Sequence, residues 1–397
     1  MAASLRCSRF SYVAASLACL MLPGFAAAEI SAVPRASVKY EYNSNIFAVP
    51  AGDPLLVAQG DLTRADDIGT FLLGVTAVGT WGQQKLNLNI EGREIEYNHY
   101  SRLNHSEYLG DADFHWTLNS RLDGDLGYRR DHTMALFMNR ESTLLEVDTT
   151  QDALANLNFK FAGDYRLEAG ILNHHVDTPL QGFPNASILE NTERLAVRNL
   201  SVKNLSWGFE FSHMEGEFSS SAFPSRYKQD NADVVFTYGA GSYSKLNGSI
   251  GYSNRKDDAS NGSTSGLTGS IGFSRQLTGK TALNLDLRRA INIFVVGGGS
   301  EIDTSASLGV NWSATRLIDV TAGVSYTHSA YGAQAATDVQ DSGRSDNYTA
   351  LNLAVDYQIL HWLSLRPYGR YETRHSNRTE FTYDGTLIGI ELRGQYQ

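Results

Sequence analysis

In the stretch FTYDGTLIGIELRGQYQ, residues 381–397, apolar and polar side chains alternate. Ile388 and Ile390 fall on one face of this stretch, whereas Glu391 and Arg393 fall on the other. A repeat of two residues predicts a β-strand that separates an apolar from a polar environment. Because a terminal strand has an edge that is costly to leave unpaired, we expect another strand of this chain to pair with it.

The same alternation recurs through the rest of the chain. The segment ASVKYEY, residues 36–42, places Val38, Tyr40 and Tyr42 opposite polar side chains, and we expect this segment to be the partner of the closing strand. Repeats of this kind predict about 18 strands, within a range of roughly 16–18. An even number makes the first and last strands antiparallel, which the closure of one sheet on itself requires.

Tight turns alternate with longer polar connections along the predicted strands. Long connections are expected up to Asp66, around Pro179 and Pro184, and at residues 132–150, 213–230, 254–265 and 328–346. Long loops on one rim and short turns on the other are typical of outer-membrane barrels. We therefore predict an all-β fold, a transmembrane antiparallel outer-membrane β-barrel with long extracellular loops and short periplasmic turns. A soluble propeller is the competing interpretation, but its inner strands are apolar on both faces, unlike the strands predicted here.

The first 28 residues have the pattern of a cleaved signal peptide. Arg6 and Arg9 supply the positive charge, residues 12–22 form the apolar region, and the alanines at 26–28 form a cleavage site. We therefore divide the chain into a signal peptide, residues 1–28, and a single barrel domain, residues 29–397. Both cysteines of the chain, Cys7 and Cys19, lie in the signal peptide, so the predicted mature chain has no thiol for disulfide or metal chemistry.

The charge balance excludes one class of partner. The chain has a formal net charge of −10 at pH 7, and removal of Arg6 and Arg9 makes the mature chain more acidic. Nucleic-acid binding requires Lys and Arg to neutralise phosphates, so we expect no nucleic-acid partner. The same balance predicts little attraction to a strongly anionic polymer, which favours a neutral or weakly charged one.

The polar faces of the strands are expected to line the interior of the barrel. A barrel of about 18 strands leaves room for an aqueous channel unless loops fill it. The alternative is a wall of ion pairs with no selectivity. The predicted lumen-lining residues are Lys85, Asn87, Asn89, Glu91, Asp123, Asp125, Arg129, Lys160, Arg166, Glu168, Asp286, Arg288, Arg366, Tyr368, Arg370, Glu391 and Arg393.

Catalytic and metal-binding patterns are absent from the sequence. His375 and Ser376 are neighbours in a predicted strand, so their side chains point to opposite faces and cannot form a dyad. The histidines show no zinc-ligand spacing, and the glycines at 297–299 lack the Lys-Ser/Thr of a phosphate loop. We therefore expect no enzymatic activity, no cofactor and no metal.

Several segments together resemble the EpsL-type outer-membrane barrels of exosortase-B-associated exopolysaccharide loci in Gram-negative bacteria. They are EYNSNIF at 41–47, DDI at 66–68, GREIEYNHYSRLNHSEYLGDADFHW at 92–116, LDGDLGYRRD at 122–131 and RHSN at 374–377. The resemblance implies a bacterial outer-membrane protein that takes part in exopolysaccharide biosynthesis or export, as a polysaccharide transport channel. The implied partners are the polysaccharide polymer, outer-membrane lipid, the barrel-insertion machinery and periplasmic polysaccharide-export proteins. The alternative is a general porin for small solutes or ions.

Overall fold

The computed structural model describes residues 29–58, 63–139, 143–180, 183–202, 204–219, 225–241, 243–258, 262–293, 300–332 and 343–396. The predicted signal peptide lies outside these residues. The described chain forms one antiparallel sheet of 18 strands, in which β1 pairs with both β2 and β18 and β9 pairs with β10. The sheet therefore closes on itself, and the predicted barrel is confirmed. The number of strands, 18, is the upper end of the predicted range.

The strands follow the chain in order around the barrel. Their bounds are β1 Glu29–Asn43, β2 Asp66–Trp81, β3 Gln84–Tyr97, β4 His105–Asn119, β5 Leu122–Met134, β6 Val147–Phe161, β7 Tyr165–Leu180, β8 Phe183–Val202, β9 Leu205–Ser219, β10 Ser225–Ala240, β11 Ser244–Asp257, β12 Gly262–Thr278, β13 Thr281–Ile293, β14 Ser300–Ser313, β15 Ile318–Tyr331, β16 Ser345–Leu360, β17 Leu363–Ser376 and β18 Tyr383–Gln395. The connections add one short helix, α1 (Pro54–Ala58), and 3-10 turns at Ser101–Leu103, Phe137–Asn139 and Thr379–Phe381.

The predicted pairing of the first and last strands is confirmed at the seam between β1 and β18. Tyr40 lies opposite Ile390 and Tyr42 opposite Ile388, so the apolar faces of the two strands coincide. On the other face, the Tyr368 hydroxyl donates a hydrogen bond of 2.6 Å to Glu41 Oε2, which links β17 to β1 across β18. The edge that closes the chain is thus paired, and the barrel has no open strand there.

Exposed aromatic side chains form two bands on the outer surface. One band lies near the rim of the longer connections and contains Tyr40, Tyr42, Tyr108, Tyr128, Tyr252, Tyr326 and Tyr371. The other lies near the turn rim and contains Tyr165, Trp207, Tyr238, Tyr243, Trp312, Tyr357 and Trp362. Bands of this kind mark the two membrane–water interfaces of a transmembrane barrel. Among the described residues, no helix has the length and apolarity to cross a membrane.

Strands extend into several of the predicted long loops. The predicted loop at 213–230 is wrong, because β9 continues to Ser219 and β10 begins at Ser225. The outward face there carries Lys228 bound to Glu215 at 2.6 Å, so these strand ends lie in water above the aromatic band. Without an apolar face the period-two signal disappears, although the backbone ladder continues.

The same reason explains the other shortened connections. Strands also extend into the segments predicted as loops at 132–150, 254–265 and 328–346, so the connections shorten to 135–146, 258–261 and 332–344. The first and the third of these connections are still long, as predicted. Around Pro179 and Pro184, strands β7 and β8 reach to Leu180 and Phe183, so a long loop is wrong there too. The long connection between β1 and β2, residues 44–65, is confirmed.

Candidate functional site: the barrel interior

The pairing ladder places all the predicted lumen-lining residues on the inward face. Glu91, for example, lies beside Gly74 and Leu109, whereas its sequence neighbour Ile90 points outward and is 60% exposed. The same parity holds for each of the others, from Lys85 on β3 to Arg393 on β18. That these residues line a conducting passage remains a prediction.

The inward face of β1, β3 and β4 carries a chain of ion pairs. Glu91 accepts from Arg35 at 2.6 Å and from Arg93 at 2.5 Å, and Arg93 also reaches Glu107 at 3.3 Å. Arg35 donates a further hydrogen bond of 2.7 Å to Asn89 Oδ1. Glu91 and Asn89 thus belong to one network whose cations the sequence prediction missed. Arg93 lies two residues after Glu91, so the alternation alone could have identified it.

A second network joins β7, β8 and β9. Glu168 binds Arg166 and Arg198, the latter at 3.0 Å, and Arg194 binds Glu210 at 3.0 Å. The structure brings together the predicted pair Arg166 and Glu168, both inward and two residues apart on β7. The structure also places Arg194 and Arg198 of the neighbouring strand β8 beside Glu168. Spacing along a single strand could not associate these arginines with Glu168.

A third network lies on β16, β17 and β18. Asp356 binds Arg393 at 3.4 Å and Arg366 at 3.8 Å, and Arg393 also binds Glu391 at 2.7 Å. On the same wall, Arg370 binds Glu372 at 2.9 Å.

Other predicted residues make polar contacts on the inward face of β4 to β6. Asp123 accepts a hydrogen bond of 2.8 Å from Asn158, and Arg129 binds Asp131 at 2.5 Å. Asp125 Oδ1 lies 2.8 Å from His115 Nδ1. The charged side chains of β3 to β8 thus hold one another in place.

The inward face of β11 to β15 has a different character. Its middle positions are hydroxyl, amide and glycine residues, namely Asn247, Ser249, Gly251, Gly266, Thr268, Ser270, Gly272, Asn284, Ser305, Ser307, Gly309, Asn311, Thr321, Gly323, Ser325 and Thr327. Asp286 and Arg288 are the charged side chains at these levels, and both are exposed. The structure therefore separates these two predicted residues from the ion-pair networks.

Apolar side chains from three connections pack together at the loop rim. Phe47 is fully buried, with ring centroids 4.9 Å from Tyr100 and 5.0 Å from Phe137. Leu103 is also fully buried in this group, which we call the mouth cluster (Phe47, Val49, Leu56, Ile68, Tyr97, Tyr100, Leu103 and Phe137). The mouth cluster fixes the connections β1–β2, β3–β4 and β5–β6 to one another. These side chains have no periodic pattern as a group, so the alternation along the strands does not predict their packing.

One contact spans the mouth of the barrel. Arg374 on β17 donates a hydrogen bond to the carbonyl oxygen of Met138, which lies in the connection between β5 and β6. Arg374 also binds Asp346 on β16 and is almost fully buried. Because β17 and β5 lie on separate parts of the ring, this contact brings the β5–β6 connection inward and narrows the opening.

His375 and Ser376 do not form a dyad in the described part of the chain. The ladder places His375 opposite Asn347 and Ser376 opposite Asp346, so the two side chains point to opposite faces as predicted. Among the described residues, no group of three or more His, Cys, Asp or Glu side chains could hold a metal ion.

Comparison with known proteins agrees with the barrel architecture. A model of the family described as "Putative beta-barrel porin 2" matches residues 232–396, from within β10 to the end of β18. No curated protein matches the chain significantly.

Solved structures that resemble the chain include outer-membrane proteins of two bacteria. OpdK from Pseudomonas aeruginosa has 14% identity and a TM-score of 0.46, covering 92% of this chain and 98% of its own. OpdQ from the same organism has 13% identity and a TM-score of 0.48, covering 93% and 99%. The FrpB iron transporter from Neisseria meningitidis has 10% identity and a TM-score of 0.47, covering 86% and 62%. Nothing about the function of this chain follows from likenesses at these values.

The closed ring of strands, the two aromatic bands and the family match together describe one kind of protein. The chain is a porin-like β-barrel of the bacterial outer membrane.

Proposed function

We propose that the barrel is a hydrophilic passage across the outer membrane and that its substrate is an exopolysaccharide leaving the cell. The proposal of a passage rests on the closed ring of 18 strands with a polar inward face. The polymer is supported by the sequence resemblance to EpsL-type barrels. No step of this function needs covalent chemistry, because the wall only has to replace the hydration of the solute.

The wall suits a polar solute in two ways. Hydroxyl and amide groups such as Asn247, Ser270, Thr321 and Ser325 provide donors and acceptors on β11 to β15. The ion pairs of the opposite half hold their side chains in fixed positions, which keeps long arginines from collapsing into the passage. An extended sugar chain can exchange water for these groups at little cost, because water-mediated and direct hydrogen bonds are similar in enthalpy.

A general porin for small solutes is the second candidate, and the contact that spans the mouth of the barrel favours it. The contact between Arg374 and Met138 narrows the opening, which restricts the width of any solute that enters from the loop rim. A polymer strand therefore has to pass in an extended form, whereas a small solute meets no such requirement.

A deletion strain separates the two candidates. If the barrel exports polymer, loss of the gene is expected to leave polymer in the periplasm and to reduce surface polymer by tenfold or more. Growth on small sugars as the limiting carbon source is expected to be unchanged. Complementation with the intact gene is the control. Normal surface polymer together with slower uptake of small solutes would reject export and support the general porin.

A further inference from the structure

In several ion pairs of the barrel wall, the two side chains differ in how far they are exposed. The acidic side chain is the buried member, and the basic side chain faces the interior. The side-chain exposures are 32% for Arg35 against 9% for Glu91, 33% for Arg93 against 9% for Glu107, 30% for Arg166 against 5% for Glu168, 29% for Lys39 against 10% for Glu41, and 36% for Arg393 against 13% for Glu391. Three pairs whose members are exposed to a similar extent lie outside this pattern, namely Arg198–Glu210, Arg366–Asp356 and Arg393–Asp356. The almost fully buried pairs of Arg255, Arg344 and Arg374 with aspartates also lie outside it.

Side-chain length explains the layering. A carboxylate on a short side chain stays close to the backbone of the wall, whereas a guanidinium extends beyond it into the interior. A guanidinium has five N–H donors. Arg93 places Nε and Nη2 on Glu91 and Nη1 on Glu107, which leaves one N–H on each Nη for a solute. In these pairs, the group that a solute meets first is therefore cationic, even though each pair is neutral in sum.

Four of these five cations line one cavity of the wall. A cavity of about 600 Å³ lies between β18, β1 and β3 and is lined by Arg35, Lys39, Arg93 and Arg393. The carboxylates Glu91, Glu107 and Glu391 also line it, and each is bound by at least one of these cations at 2.5 to 3.3 Å. Thr70 and Ser37 add hydroxyl groups to the lining. The cavity thus combines guanidinium donors with hydroxyl groups.

We propose that this cavity binds a carboxylate group and that the passage therefore accepts anionic solutes. Guanidinium groups bind carboxylates through paired, charge-assisted hydrogen bonds, and the hydroxyl groups suit the ring of a sugar acid. The source is either a uronate unit of a polymer or a small free carboxylate. The substrate class rests on the proposed function, whereas the binding of a carboxylate does not.

A cavity that binds carboxylates is the opposite of what the net charge of the chain predicts, which is little attraction to an anionic polymer. The net charge of −10 counts acidic side chains wherever they lie, including those on the loop rim and those beneath an arginine. A solute in the passage interacts most strongly with the nearest charges, because interactions over longer distances in water are screened by salt. Depth in the wall, rather than the sum of charges, decides which ion is attracted.

Calorimetry on the full-length purified barrel in detergent tests the site without requiring transport. Trigalacturonate is expected to bind, and maltotriose, a neutral sugar of the same length, is expected not to bind. Arg93→Gln should weaken trigalacturonate binding by about tenfold, as expected for one charge-assisted pair. Arg393→Gln on another strand is the second variant, should the first fail to assemble. Lys228→Gln, whose side chain is on the outer surface above the aromatic band, is the matched control and should bind like the wild type.

Monomeric galacturonate distinguishes the two sources of the carboxylate. If the monomer binds much more weakly than trigalacturonate, the site is assigned to a polymer. If the two bind equally, the site is assigned to small carboxylates. Both results support the carboxylate site. Equal binding of maltotriose and trigalacturonate, no carboxylate binding, or an unchanged affinity in both assembled variants would overturn it. A failed export assay with retained binding would reject the function alone, whereas export without carboxylate binding would reject this inference alone.

Discussion

Deletion of residues 381–397 is expected to abolish outer-membrane assembly. The segment contains all of β18, whose register with β1 runs from Arg35 opposite Gln395 to Asn43 opposite Leu387. Without it, the facing edges of β1 and β17 are both left unpaired in a membrane, where an unsatisfied backbone group costs several kcal/mol. The expected result is loss of the heat-modifiable, protease-resistant form in outer-membrane fractions.

Deletion of Gln397 alone is the control for this experiment. It removes one residue after Tyr396 and leaves the whole of β18 intact. This variant is expected to assemble like the wild type. A heat-modifiable, protease-resistant barrel from the chain that lacks residues 381–397 would contradict the closure of the sheet described above.

The second large effect is expected at the mouth cluster. Phe47→Ala removes a fully buried ring that packs against Tyr100 and Phe137 from two other connections. Removal of a buried Phe typically costs about 3–5 kcal/mol, and here the loss falls on the packing of the connections rather than on the ring of strands. The mouth should therefore loosen while the barrel remains assembled. The expected readout is a higher and noisier single-channel conductance with unchanged heat-modifiability.

Leu136→Ala provides the matched control for this prediction. Leu136 adjoins Phe137 in the same connection, but its side chain is 72% exposed. Its substitution should leave the conductance as in the wild type. Identical conductance in Phe47→Ala and Leu136→Ala would show that the mouth cluster does not limit the passage.

The sequence predicts the barrel because one rule applies throughout the membrane-spanning part. Each strand must present apolar side chains to lipid and polar ones to the interior, so residues such as Ile388 and Glu391 reveal their faces by position alone. The rule fails above the aromatic band, where both faces meet water. Strands β9 and β10 continue there with Glu215 opposite Lys228, and the sequence resembles a loop.

The interior was predictable residue by residue but not as an arrangement. Alternation identifies Glu91 and Glu168 as inward, yet their partners Arg35 and Arg198 come from other strands. Relative depth in the wall depends on which neighbours crowd a carboxylate, and a single sequence does not contain that information. The mouth cluster escaped prediction because apolar residues in irregular connections have no periodicity.

The claim that the polar interior is a continuous passage can be measured as conductance of the purified barrel in planar lipid bilayers. Protein shown to be folded by its heat-modifiable mobility is expected to open discrete ion-conducting channels, with larger currents in Phe47→Ala. Folded wild-type and Phe47→Ala protein that both leave the current at the level of the bare bilayer would contradict the claim.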